Sequence, residues 1–369
     1  MTGPTIATHQ LNRALLARQL LLERSDLGIV DAIDRLGGLQ AQTSNAPYHG
    51  LWSRLAGFSH DAMTALIVDK SLVRAATLRA TLHLHTAADL LSFRPLLQSV
   101  MERGWAAAYT KRFADADKAA VMAKGIAHLD RQQLTNSDLA QLLAPAFPGS
   151  DPHSMAQYLH CTQTLVQVPP TRLWNVGRAP LLQRIETYLP GQTAPAFGRR
   201  DLVLRYLRAF GPASVQDMQQ WCGLTLLTPD FEALRDQLVT FTDDTGRELF
   251  DLPNAPRPDA DTPAPIRFIP EYDNIFLGFA NRTRIVADDI RPIMFAINRY
   301  NPPILIDGMI EGAWWLKLVK GVAHLRIATY VPIGKRTAEQ IEAEGLAFAH
   351  FCQADAKAVS VDFDKDLLV

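Results

Sequence analysis

Between residues 253 and 265 the chain carries five prolines, at 253, 256, 258, 263 and 265. Neither a helix nor a central strand runs through such a stretch, because each proline fixes φ and removes a backbone donor. It divides the 369 residues into two parts that differ in apolar periodicity. Before it, helical spacing alternates with short strand-like runs; after it, strand-like runs dominate. A chain of this length holds two or three domains, and residues 253–265 are the expected linker.

Upstream, Leu11, Leu15, Leu16 and Leu20 share one face of a predicted helix over residues 11–22, and a second helix is predicted over 27–39. Asn45 and Ser59 are good N-cap types for helices over 45–55 and 59–69. The period then changes. LVRAATLRATLHLHT, residues 72–86, alternates and is rich in Thr, Val and Leu, which predicts a two-stranded hairpin. Helices followed by a hairpin make a winged helix. The plan recurs in residues 93–190, where Thr135 caps a helix and strand-like TLVQVPP follows, with a return over 174–182. It recurs again in 191–252, where Gly211-Pro212 closes one helix, Ser214 caps the next, Pro229 opens a third and LVTFTDDTGRELFDL turns at Asp244-Thr245-Gly246.

The expected fold class is therefore α+β: three tandem winged-helix units (residues 1–92, 93–190 and 191–252) followed, beyond the linker, by a C-terminal β-barrel-like domain over residues 266–369. In that last part residues 266–269, 304–306, 309–319 and 322–331 read as strands, with Asp307-Gly308 as a hairpin turn. A helix over 338–352 and a strand over 358–363 close the chain.

Winged helices most often bind duplex DNA. The overall charge neither supports nor excludes this, since 37 basic residues balance 38 acidic ones. Only nine of the basic residues are lysine; arginine is the better fork for phosphate and base edges, although a GC-rich genome produces the same bias. Cys161, Cys222 and Cys352 are too scattered for a zinc site or a disulfide framework, which suits a reducing compartment. The chain shows no basic-then-apolar leader and no run of about 18 apolar residues, so a cytoplasmic protein without membrane contact is expected. It also lacks a Gly-rich phosphate loop and a nucleophile elbow, and no cofactor is expected.

The most chemically suggestive stretch is GLQAQTSNAPYHGL, residues 38–51. In an extended or turning backbone Gln40 and Gln42 point the same way, and both amides can bind one small polar object such as a water molecule. Gln-x-Gln is also common by chance, and amides near helix ends usually cap backbone groups. His83 and His85 alternate along a predicted wing strand and so project from one face toward a groove; no third ligand is spaced to make them a metal site. Arg54 and Arg79 stand where phosphate contacts are expected, and Arg282 and Arg284 form a candidate clamp on the nucleic-acid backbone. Glu271 and Asp273 in PEYDN are a rival catalytic pair, but Asp273-Asn274 also suits a turn, and the structural role is the favoured one. Of the adjacent Trp314 and Trp315 in a strand, one is expected in the core and the other outside.

GLQAQ with SNAPYHGLWSRL, the hairpin LRATLHLHTAADL, then LRYLRAFGPASVQDMQQWCGL, FIPEYDNIFLGFANRTRIV and ILIDGMIEGAWWL together resemble the AlkZ-like family of bacterial DNA glycosylases. The resemblance runs from about Leu11 to Phe351. It implies tandem winged helices wrapped around DNA, a C-terminal β-barrel, and removal of N-alkylated bases, including bulky natural-product adducts and interstrand crosslinks. The family's catalytic Gln-x-Gln, Gln-x-Asp in a related branch, falls on Gln40-Ala41-Gln42. The implied partner is double-stranded DNA carrying alkylated purines, met by a monomer. A neutral amide cannot take a proton from water, so the lesion must supply the activation: guanine alkylated at N7 is already cationic and a good leaving group. On this reading Gln42 holds the attacking water, and Gln40 shares it or supports the developing positive charge. The alternatives are a non-enzymatic winged-helix transcriptional regulator and a protein that sequesters a free alkylator.

Overall fold

The computed structural model describes residues 3–113, 116–295 and 301–364. The first two residues of the segment read for a leader, and the last five of the C-terminal domain, lie outside them. Most helices form where periodicity and caps place them. Ser59 accepts from the Ala62 amide and opens helix His60–Val68. Thr135 and Asp138 form a reciprocal capping box on helix Asn136–Leu143, as do Ser214 and Asp217 on Val215–Cys222. The helix expected over 27–39 is shorter, Ile29–Leu36, because Gly37 takes a left-handed conformation and ends it.

The hairpin strands expected at 72–86 are present, but not as an isolated wing. Strands β1 (Leu39–Gln40), β2 (Leu72–Ala76), β3 (Leu82–Thr86), β4 (Leu165–Val168) and β5 (Leu181–Arg184) form one antiparallel sheet in the order β1-β3-β2-β4-β5. The β2–β3 and β4–β5 hairpins, assigned by sequence to separate units, are thus joined through β2 and β4. The third pair, β6 (Val239–Thr242) with β7 (Glu248–Asp251), forms a separate two-stranded ribbon, bridged to Thr5 on one side and to Ala213 on the other.

Beyond the prolines, β8 (Arg267–Phe268), β9 (Pro303–Ile306), β10 (Met309–Val319), β11 (Val322–Thr329) and β12 (Ala358–Phe363) form a second sheet, ordered β12-β11-β10-β9-β8. Asp307-Gly308 makes the tight β9–β10 turn with both residues at positive φ. The expected barrel does not close: among the described residues β8 and β12 are free edges of an open sheet. The reason is the connection from β11 to β12. Helix Lys335–Cys352 crosses over so that β12 pairs parallel to β11, and the helix packs Ile341 and Phe348 into the cluster of Phe268, Trp314, Leu325 and Ile327. A sheet whose apolar face is covered by a helix has no need of closure to bury it. Trp314 is in that core and donates to the Ile269 carbonyl, while Trp315 is half-buried.

The proline stretch does not separate the cores. One apolar cluster joins Leu15 and Leu16 of helix Thr8–Arg18, Tyr206, Phe210 and Trp221 of residues 199–222, and Ile275, Phe276, Ile285 and Leu305 from beyond the prolines. Arg18 fastens the same assembly through a fully buried two-pronged ion pair with Asp251, at 2.6 and 2.8 Å. The consequence for the site is that residues 38–43 meet residues 271–274 across a packed junction.

Candidate active site

The glutamine loop follows directly from how helix Ile29–Leu36 ends. Gly38 has φ +93°, and a β-carbon there would overlap the His85 ring, so the backbone passes flush over β3 before Leu39 and Gln40 pair with Leu84 and His83. Gln40 is consequently buried, 7% exposed, whereas Gln42 lies just past the strand end and is half-exposed. Their partners differ too. The Gln40 Oε1 accepts from Arg79 at 2.6 Å. Among the described residues no hydrogen bond reaches the Gln42 amide.

Arg79 sits at the tip of the β2–β3 hairpin, where it and Ala80 both take positive φ, at 55° and 58°. Its guanidinium donates to the Trp221 carbonyl (2.6 Å), to Gln40, and to the Asn274 Oδ1 (3.2 Å). All three acceptors are neutral, and no described carboxylate pairs with it. Burial accordingly lowers its pKa to about 10, with the nearby Arg282 cation adding to the effect; at neutral pH it remains charged.

The other wall comes from residues 270–274. Asn274 donates from Nδ2 to the Gly38 carbonyl (3.3 Å), and Glu271 accepts from the Thr43 hydroxyl at 2.5 Å. Gly50 of helix Ala46–Trp52 lets this segment approach, a β-carbon there meeting the Arg54 guanidinium at 3.3 Å and Pro270 at 3.5 Å. Glu271, considered with Asp273 as a rival catalytic pair, therefore lies beside the glutamine loop itself. Asp273 is turned away: it accepts from Arg54 at 2.9 and 3.0 Å and from the Ile275 amide, capping helix Asn274–Leu277.

A model of the AlkZ-like DNA glycosylases matches residues 33–351. The chain belongs to the AlkZ-like DNA glycosylase family. A protein of Streptomyces sahachiroi described as an interstrand DNA cross-link repair glycosylase is 26% identical over 331 residues, spanning 80% of this chain and 84% of that relative. The fold is shared with the solved structure of Streptomyces sahachiroi DNA glycosylase AlkZ, at TM-score 0.75 and 18% identity over 98% of this chain and 100% of that one.

In this AlkZ-like chain the expected contacts divide sharply. Arg79 and Gln40 are brought together, and Arg282 is half-buried nearby, over the Phe276 ring at 4.4 Å. Arg54 is not at the surface. It is 0% exposed, bound to Asp273 and to the Gln19 and Gly50 carbonyls, so it braces the loop from below and has no access to phosphate. Arg284 is likewise buried, donating to the Pro212 carbonyl at 2.7 Å and lying over Phe279. His83 and His85 do not face a groove; both are 0% exposed. His85 shares a hydrogen bond between its Nε2 and the Thr77 hydroxyl (2.9 Å), and burial drops its pKa to about 3. His83 bonds the Thr81 carbonyl through Nδ1 and is also held neutral, by burial first and by the Arg79 charge second. Asn274 lies near enough to His83 to favour its charged form slightly, yet no bond of ordinary geometry reaches Nε2. Among the described residues no helix is long and apolar enough to cross a membrane.

Sequence reasoning missed Asn274, Thr43 and the placement of Glu271. The only signal was that PEYDN belongs to one of the ordered blocks. More than 220 residues separate Thr43 from Glu271, and local patterns carry no information over that distance.

Proposed function

We propose that this chain is a monofunctional glycosylase that excises cationic N7-alkylguanine and related N-alkylpurines from duplex DNA by water attack at C1′. The observation that carries the reading is the asymmetry of the two glutamines: Gln40 is fixed by Arg79, while Gln42, two residues on, is half-exposed and its amide takes no hydrogen bond among the described residues. Gln42 binds and orients the water. An amide oxygen has two acceptor sites, so Gln40 keeps one for the same water after Arg79 takes the other. Support of the developing positive charge by the Gln40 carbonyl is the weaker of its two expected roles, because the adjoining Arg79 cation offsets that dipole.

Neither amide is a base, and the Glu271 carboxylate beside the loop is engaged with the Thr43 hydroxyl, so positioning is the main resource of this reading, contributing roughly 7 to 11 kcal/mol at best. That suffices only where the base departs readily, which confines the enzyme to lesions already carrying positive charge. Arg79 fits a DNA partner for a further reason. A largely buried guanidinium with only neutral acceptors is costly to hold, and a phosphate oxygen is the counterion it lacks. The helix-and-hairpin units are proposed as winged-helix supports along the duplex. The name of the Streptomyces sahachiroi relative supports including interstrand crosslinks among the substrates; bulky adducts and action as a monomer are proposed beside them.

The test is a duplex carrying a single N7-alkylguanine, incubated with the protein and then treated with alkali. Strand breaks at the adduct and none in unmodified DNA are expected. Sequence-specific binding to undamaged DNA without breaks over a panel of adducts would instead indicate a regulator.

A further inference from the structure

Asn45 stands at the N-cap position of helix Ala46–Trp52, where an asparagine side chain ordinarily accepts from an amide of the first turn, yet it caps none of them. Its side-chain amide reaches instead to the connection between β4 and β5. The Asn45 Nδ2 donates to the Asn175 Oδ1 at 2.8 Å, and the Asn45 Oδ1 accepts from the Asn175 backbone amide at 2.9 Å. Beside this reciprocal clasp the Ser44 hydroxyl donates to the Val176 carbonyl at 2.9 Å, and Arg74 of β2 donates to the Ser44 carbonyl at 3.3 Å. The partner loop is held in an uncommon shape. Arg172 and Asn175 take φ +62° and +57°, the left-handed region, which asparagine tolerates better than most residues.

The pairing of β2 with β4 brings this loop beside residues 43–45, immediately after Gln42. Among the described residues the Gln42 amide takes no hydrogen bond, so the backbone on either side sets its direction. Before it, Gln40 is fixed by strand pairing and by Arg79; after it come Thr43, bonded to Glu271, and the Ser44 and Asn45 contacts. Asn175 is exposed, and a bond between groups that water can also satisfy adds little to global stability. Its contribution is to geometry, and backbone held in sparsely populated conformations clusters at functional sites. We propose that Asn175 is a positioning residue for the excision reaction: with Asn45 it clasps the chain behind Gln42 and so keeps the Gln42 amide directed at the attacking water. This role deepens the glycosylase reading of the glutamine loop and rests on it, but the experiment tells the two apart.

The full chain is compared with three variants. Asn45→Ala removes both bonds of the clasp. Asn175→Gly removes one and keeps the left-handed backbone, and Asn175→Asp keeps an acceptor for the Asn45 Nδ2 on a residue type that also tolerates that backbone. Thermal midpoints are measured first, and all other measurements are made well below them. Hydrogen exchange of the amides in residues 38–45 reports the clasp without reference to activity, and single-turnover excision of N7-methylguanine at saturating protein separates rate from binding. In Asn45→Ala and Asn175→Gly, exchange over residues 38–45 is expected to quicken. Their excision rates are expected to fall about tenfold and about threefold, within the roughly hundredfold that a 1 Å misplacement costs, with duplex binding within about threefold of the parent. Asn175→Asp is expected to excise within about twofold of the parent rate, a rescue that a general loss of stability would not produce. Parental exchange in both Asn45→Ala and Asn175→Gly, parental rates in both despite faster exchange, or an Asn175→Asp rate as low as that of Asn175→Gly would overturn the proposal. If the parent chain excises no adduct while exchange over residues 38–45 quickens in both variants, the clasp holds the loop and the glycosylase reading is the part that is wrong.

Discussion

Arg54 and Arg79 were both expected to contact phosphate, and the fold gives them opposite fates. Among the described residues Arg79 has only neutral acceptors and no paired carboxylate, whereas Arg54 is enclosed with the Asp273 carboxylate. Removing one partner of a buried ion pair costs roughly 3 to 5 kcal/mol, because the other charge is left without compensation. Arg54→Ala is therefore expected to lower the unfolding free energy by about that amount in a urea titration, while the salt dependence of DNA binding by the folded fraction stays unchanged. A flatter salt dependence at parental stability would return Arg54 to the list of phosphate contacts. What was legible here was residue type: an arginine near the glutamine loop. Whether it meets solvent depends on Asp273, which lies 219 residues away and enters through no local pattern.

Strand β3 shows the same limit one level up. The alternation of TLHLHT identifies a strand, and the strand exists, but alternation implies an exposed face only when a sheet has one. Here β3 is flanked by β1 and β2, and Gly38 lies directly over His85. Both histidines therefore end up inside, held neutral. This has a pH consequence whose sign is fixed. The unfolded chain protonates them near pH 6.5, while the folded protein resists down to about 3 at His85 and lower than normal at His83. Above pH 6.5 they contribute no pH dependence; below it the unfolded state takes up protons that the native state refuses, and stability falls. His85 is expected to cost about 2 kcal/mol between pH 7 and pH 5, and His83 adds to the loss in the same direction. Urea titrations at the two pH values check this, with His85→Gln expected to reduce the difference by one histidine's share. Equal stability of the parent chain at both pH values would show that these rings are not the buried neutral pair described.

At the scale of the whole molecule, the helices, hairpins and tight turns were readable from caps, periodicity and Asp-Gly chemistry. The joining of two hairpins into one sheet, the open second sheet and the shared core across the prolines were not, since each depends on pairing between distant segments. The ordered blocks of the AlkZ-like family compensated in part: they singled out the glutamine loop as the candidate site and contained PEYDN, although the proximity of that second segment became visible only when Asn274 and Glu271 were seen against Gly38 and Thr43. Among the described residues the candidate site has one amide that no hydrogen bond reaches, one fixed amide and a cation with no paired carboxylate, set where the two parts of the chain meet. Its most direct test is single-turnover excision of N7-methylguanine from duplex DNA by the parent chain and by Gln42→Ala, with binding to the same duplex measured for both. The account predicts a loss in rate of about a hundredfold or more, as for removal of a positioned catalytic group, with binding within about threefold of the parent. A Gln42→Ala protein that binds the duplex and releases the base as fast as the parent would contradict it.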